Sequence, residues 1–149
     1  MRQLQTLLTL TGLALFLQAA DLNEHFQGTW KMDIAKSTFA PGMGGVKSMT
    51  ITFKGDQVII KGETDKGEPM NSSFHAPADG KLYASPGQPY DHVSAKQLDP
   101  DHQLVTFMKD GHVLSTSHVE IKGNTMTTDD TGTGPDGKSF KAHTVAMRH

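Results

Sequence analysis

From Ser48 to Phe53 the chain alternates, with Met49, Ile51 and Phe53 on one side and Ser48, Thr50 and Thr52 on the other. A period of two belongs to a strand with one buried face. The same reading extends along most of the chain. Gln57–Glu63 carries Val58, Ile59 and Ile60, and Pro69–Ala76 sets Met70 and Phe74 on one face with Ser72 between them. His92–Leu98 and Leu104–Met108 follow. Val113–Ile121 places Val113, Val119 and Ile121 on one side, and Lys138–Met147 closes the chain with Phe140, Ala142, Val145 and Met147. Thr125–Thr131 is almost all threonine and aspartate, a composition that suits an exposed pleated surface. With Phe26–Asp33, the pattern predicts about nine strands.

The breaks between these segments are turn signals: Gly55-Asp56, Lys66-Gly67, Asp79-Gly80, Asp99-Pro100-Asp101, Asp110-Gly111, Gly123-Asn124 and Asp136-Gly137. Aspartate and glycine both tolerate the positive φ that a type I′ hairpin requires. Evenly spaced hairpins predict an all-β, antiparallel meander of 8–10 strands. Closing the meander into a barrel would remove its edges, and a two-sheet sandwich is the alternative. No amphipathic helix is predicted after residue 20. The segment Ile34–Val46, with Pro41, Gly42, Gly44 and Gly45, reads as a loop across one end of the sheet, with one turn of helix near Asp33–Thr38.

Composition adds a destination. Arg2 is the only charge before Asp21, Leu7–Leu17 is apolar, and Ala19 and Ala20 end the segment. The apolar run is shorter than the roughly 20 residues that cross a bilayer as a helix. Residues 1–20 are therefore expected to be a cleavable signal peptide, although Leu17 or Gln18 occupies the minus-three position where a small residue is preferred. Residues 21–149 form the single expected domain. Export to the periplasm or the extracellular space follows, with no stable membrane insertion after cleavage. Without Arg2 there remain 13 basic and 16 acidic side chains, too mild a charge for a nucleic-acid binder. There is no cysteine, so the core must hold the fold without disulfides.

The opening Phe26-Gln27-Gly28-Thr29-Trp30-Lys31 ahead of a meander resembles the first strand of the calycins, the lipocalins and fatty-acid-binding proteins. Ala35-Lys36-Ser37-Thr38-Phe39, Gly87-Gln88-Pro89-Tyr90-Asp91 and Val93-Ser94-Ala95-Lys96 are similar to a group of small exported bacterial proteins described as lipocalin-like. The resemblance implies a barrel in which Trp30 plugs one end. It also implies a basic residue from a late strand, here Arg148, over the indole. Such a cation–π contact is worth roughly 0.5–2 kcal/mol. Two features depart from the fatty-acid-binding proteins. The glycine-rich loop after the first strand is not their helical insertion, and their paired arginines and tyrosine for a carboxylate have no match.

Chemical motifs are sparse. Asp130-Thr131-Gly132 has the aspartic-protease triplet, but it follows a polar run and reads as a solvated hairpin end. Among eight histidines no His-x-His or His-x-x-x-His pair occurs. His75, His118 and His143, with Glu120, are the residues that could converge from different strands. No Gly-x-Ser-x-Gly elbow frames Ser115, Ser117 or Ser139, and Gly42-Met43-Gly44-Gly45 lacks the following lysine of a phosphate loop. Neither a cofactor nor a metal is expected.

Inward methionines are common at adaptable apolar surfaces. Met49, Ile51, Phe53, Ile60, Met70, Phe74 and Met108 are therefore the candidate ligand-binding residues, with Met126 also facing in. The leading expectation is an exported, monomeric, non-catalytic protein that holds a small apolar or amphipathic ligand. A structural or envelope-interaction protein with a filled core is the first alternative. A histidine-dependent enzyme or metal binder is the second.

Overall fold

The computed structural model describes residues 23–149. The expected signal segment 1–20 lies outside the described residues. Ten antiparallel strands form one sheet: β1 (Gly28–Met32), β2 (Val46–Lys54), β3 (Gln57–Thr64), β4 (Pro69–His75), β5 (Asp79–Ala84), β6 (His92–Asp99), β7 (His102–Lys109), β8 (His112–Lys122), β9 (Thr125–Thr133) and β10 (Ser139–Arg148). Their order is β4-β3-β2-β1-β10-β9-β8-β7-β6-β5. Each strand except β1 and β10 thus neighbours only its chain neighbours, and the pairing of β1 with β10 joins the two halves. Trp30 faces Arg148 across that seam, and Met32 faces Ala146. The result is a nearly closed meander barrel rather than a sandwich, split only between β4 and β5. Two single-turn 3₁₀ helices, Glu24–Phe26 and Ile34–Lys36, are the only helical elements described. The Asp33 side chain caps the second by accepting from the Lys36 amide.

The turns follow their residues. Asp110 and Gly111 lie at φ of 51° and 76°, so both central positions of the β7–β8 hairpin have the positive φ of a type I′ turn. Asp79-Gly80 departs from the turn reading, because it opens β5. That tenth strand was not visible as a pattern: Leu82 is 54% exposed, and only Tyr83 of its six residues gains cover.

Two faces differ from simple alternation. Between Phe107↔Ser115 and Met108↔Val113 the β7–β8 register shifts, and Leu114 is the extra residue of a bulge. Parity flips there. Val119 and Ile121 stay in the core while Val113 turns out to solvent at 56% exposure. On β10 the inward set is Phe140, Ala142, Thr144 and Ala146, and Met147 is exposed, one residue out of step with the expected Val145 and Met147. Here small residues close to the β1 seam take the inner positions, and the larger ones lie outside.

Two buried clusters form the core, one of Val58, Phe74, Ala76, Val93 and Ala95, the other gathered at one end of the barrel. Phe26 and Trp30 have no exposed surface, and Met32, Val46, Met49, Val119, Ile121, Met126 and Ala146 pack with them. The segment before β1 laces this end shut. The Asn23 and Gln27 amides donate to the Gly55 carbonyl, and His25 reaches Asp101 at 2.7 Å. Gly62 marks a tight contact elsewhere: a Cβ there would stand 2.2 Å from the Ser48 backbone oxygen, beside the bulge between Val46 and Ser48. Gly62→Ala is expected to lower stability by roughly 1–3 kcal/mol, the usual cost of overpacking, read as a fall in the urea midpoint at unchanged slope.

Candidate functional site

At the closed end the Trp30 indole N–H donates to the Phe26 carbonyl at 2.9 Å. The Arg148 guanidinium lies 4.2 Å from the indole centroid. Its two terminal nitrogens donate to the Gln27 and His25 carbonyls at 2.8 and 2.9 Å. Arg148 therefore ties the last strand to the segment that seals the floor, and its charge rests on the π face.

Above this floor the barrel is not filled. A cavity of about 660 Å³ occupies the other end. Its rim comes from the β1–β2 loop (Phe39, Ala40, Met43) and from Pro69, Pro89, Thr133 and Phe140. Its wall is divided by strand. Strands β2, β3 and β4 supply Met49, Ile51, Ile60, Met70 and Phe74, a largely apolar face that Asn71 and Ser72 of β4 interrupt. Strands β8, β9 and β10 supply Ser115, Ser117, Thr128, Asp130 and Thr144, a face of hydroxyls and one carboxyl beside which Leu114 of β8 is the apolar member. The division follows from period-two placement. Thr128 and Asp130 lie two and four residues beyond the buried Met126 and share its side of β9.

Five of the seven candidate residues line the cavity: Met49, Ile51, Ile60, Met70 and Phe74. Phe53 and Met108 do not. Phe53 lies nearer the floor, its ring edge-on to Phe26 at 6.1 Å. Met108 follows the inward Phe107 on an unbulged strand, so it points to the outer face. Sequence reasoning missed the polar wall. Asp130-Thr131-Gly132 is not a solvated hairpin end: β9 runs through it, and Asp130 faces inward, half-buried. The Ser117 hydroxyl donates to its carboxylate. Burial holds Asp130 above the usual carboxylate range, and the neighbouring Asp129 charge pushes the same way.

The split between β4 and β5 is bridged by side chains. Phe74 of β4, Tyr90 of the β5–β6 loop and Phe107 of β7 form an aromatic trio with centroids 4.8 to 6.0 Å apart. Burial raises the Tyr90 phenol above its ordinary value, against a smaller opposing effect of the Ser72 and Ser85 hydroxyls. Gln88 accepts from the Ser72 hydroxyl at 2.8 Å and donates weakly to the Ser73 carbonyl. The loop therefore covers the strand edges that the ladder leaves unpaired.

The histidines lie elsewhere. His75 stacks edge-on with Tyr83 across the split, 5.4 Å between centroids. His118 and His143 both face Asp129 in register on the outer surface, and His143 bonds it at 2.6 Å. His75, on β4, does not join them, so the proposed convergence of His75, His118 and His143 is not formed. Among the described residues, no three His, Asp or Glu side chains are grouped to hold a metal ion. On the same outer face a hydrogen bond to Asp99 holds the His102 imidazole above its ordinary range, with Glu120 adding to the effect.

No protein-family model and no curated protein matches the chain. Among solved structures it is similar to zebrafish ileal bile acid-binding protein, crystallised with cholic acid, at a TM-score of 0.52 and 11% identity over 84% of this chain and 99% of that one. The likeness shows a calycin-like barrel fold.

Proposed function

We propose that this is a non-catalytic binding protein that holds a small, largely apolar ligand inside the barrel. The observation that carries the reading is the cavity of about 660 Å³ with a largely apolar wall on β2–β4. Small-molecule sites span roughly 300–1,000 Å³ and combine apolar lining with a few placed polar groups. A structural protein with a filled core has no use for this space. The solved structure similar in fold has cholic acid bound, which accords with the reading. The one inward hydroxyl bonded to a carboxylate, Ser117 on Asp130, has no imidazole beside it, since His118 and His143 face outward, which supports the reading without catalysis. The chain acts as a monomer. The N-terminal pattern of Arg2, Leu7–Leu17 and Ala19-Ala20 supports export, which places the work in the periplasm or outside the cell.

Native mass spectrometry of the protein purified from its own host tests the proposal. A retained small molecule, lost on denaturation, is the expected result. Protein that is free of ligand and that takes up no Nile red in titration would refute it.

A further inference from the structure

We propose, on the basis of the ligand-binding reading, that the cavity selects amphipathic ligands carrying a protonated amine, with Asp130 as the counter-ion of the ammonium. Three observations carry this. First, Asp130 is the one carboxylate among the described lining residues, and no Lys, Arg or His accompanies it there. Its register neighbours are Ser117 on β8 and Ala142 on β10. The charged groups beside it lie on the outer face: Asp129 on its own strand, His118 on β8, and Lys141 and His143 on β10. Asp130 has thus been drawn inward without a cation of its own. A carboxylate in such a place is costly unless a positive charge joins it.

Second, the groups around Asp130 suit an ammonium in number and kind. An alkylammonium has three N–H donors. The Asp130 carboxylate can accept from one or two, and hydroxyl oxygens of Ser115, Thr128 and Thr144 line the same wall for the rest. A neutral alcohol would bring one donor and no charge. A carboxylate ligand would bring a second negative charge beside the first.

Third, the apolar face lies across the cavity. On a ring of ten strands, β3 stands five strands from β8, so Ile60 faces the hydroxyl wall across the lumen. An amine at Asp130 would therefore project its apolar body onto Ile60 and Met70.

The test uses decylamine, decanol and decanoate, below their micellar concentrations, displacing the neutral probe Nile red from the full chain. At pH 7 decylamine is expected to bind at least about tenfold more tightly than decanol, with decanoate weakest. Asp130→Asn, which keeps an acceptor for Ser117, is expected to bring decylamine to the decanol level, read as the ratio of the two affinities within the variant. The wild type offers a second readout that needs no variant. A proton on Asp130 competes with the ammonium, so the amine preference should fade as pH drops through the Asp130 titration while decanol binding stays constant. Equal binding of amine and alcohol by the wild type, or an amine preference that survives in Asp130→Asn, overturns the proposal and leaves the apolar site standing. Failure of Nile red and all three decyl compounds to bind overturns both.

Discussion

Trp30→Ala is expected to leave the chain largely unfolded at 37 °C. The indole is wholly buried and is the largest side chain of the floor. Removing such a ring from a packed site costs about 3–5 kcal/mol, against a total stability of about 5–15 kcal/mol for a domain. Two further losses add to the cavity. The buried Phe26 carbonyl loses its donor, and the Arg148 guanidinium loses the face it rests on. Both act at the seam where β1 and β10 close the ring. No disulfide can hold the seam if packing fails. Far-ultraviolet circular dichroism during urea unfolding gives the measurement, since Trp30 is the only tryptophan and its fluorescence goes with it. Arg148→Lys is the graded companion. It keeps the charge but loses the fork that serves two carbonyls, and it should cost about 1–2 kcal/mol. A Trp30→Ala protein within about 1 kcal/mol of the wild type would show that the floor is held by other contacts.

The floor was legible through a resemblance: Gly28-Thr29-Trp30 ahead of a meander is similar to the opening of the calycins, which implied Trp30 as a plug with Arg148 of the last strand over it. The meander was legible from the residues themselves, since period two and Asp-Gly turns are short-range signals. What escaped was set by partners far along the chain. The bulge at Leu114 arises in the pairing of β7 with β8, and nothing within Val113–Ile121 announces the flip that exposes Val113. β5 has so little buried surface that it leaves no alternation to read. It is a strand because β6 offers it a ladder.

The polar wall was hidden by the rule that exposed the apolar one. Binary patterning equates inward with apolar, so Thr128 and Asp130 look like a solvated surface in the sequence. In a barrel that keeps a cavity, an inner position can be polar and still be covered. The signal was available in β9 itself. Met126, Thr128, Asp130 and Gly132 are one face of one strand, and Met126 fixes that face as inner. Gly132 continues the argument, since a Cβ there would stand 2.7 Å from the Ser115 Cβ and 2.9 Å from the Phe140 ring. The glycine lets β8 and β10 approach β9 at the end of the strand nearer the rim.

Filling the cavity should remove binding while leaving the fold intact. Ile60→Trp and Ser115→Leu, introduced together, extend apolar side chains from β3 and β8, which stand across the ring from one another. Ile60 packs against the edge of both buried clusters, but its side chain and that of Ser115 also line the cavity, so the added groups extend into open space. The ordinary penalty of overpacking is then confined to the packed side of Ile60, and covering apolar wall is favourable at roughly 25 cal/mol per Å². The double variant should therefore melt at or above the wild-type temperature. Nile red and decanol affinity should drop by at least about 100-fold, roughly 2.8 kcal/mol, because the space the ligand needs is occupied. The combination separates two explanations that a single loss of binding would merge. A less stable protein that binds poorly has been damaged, whereas an equally stable one that binds poorly has been blocked. Retained binding in a stable double variant would place the ligand outside the barrel and remove the basis for assigning Asp130 a ligand at all.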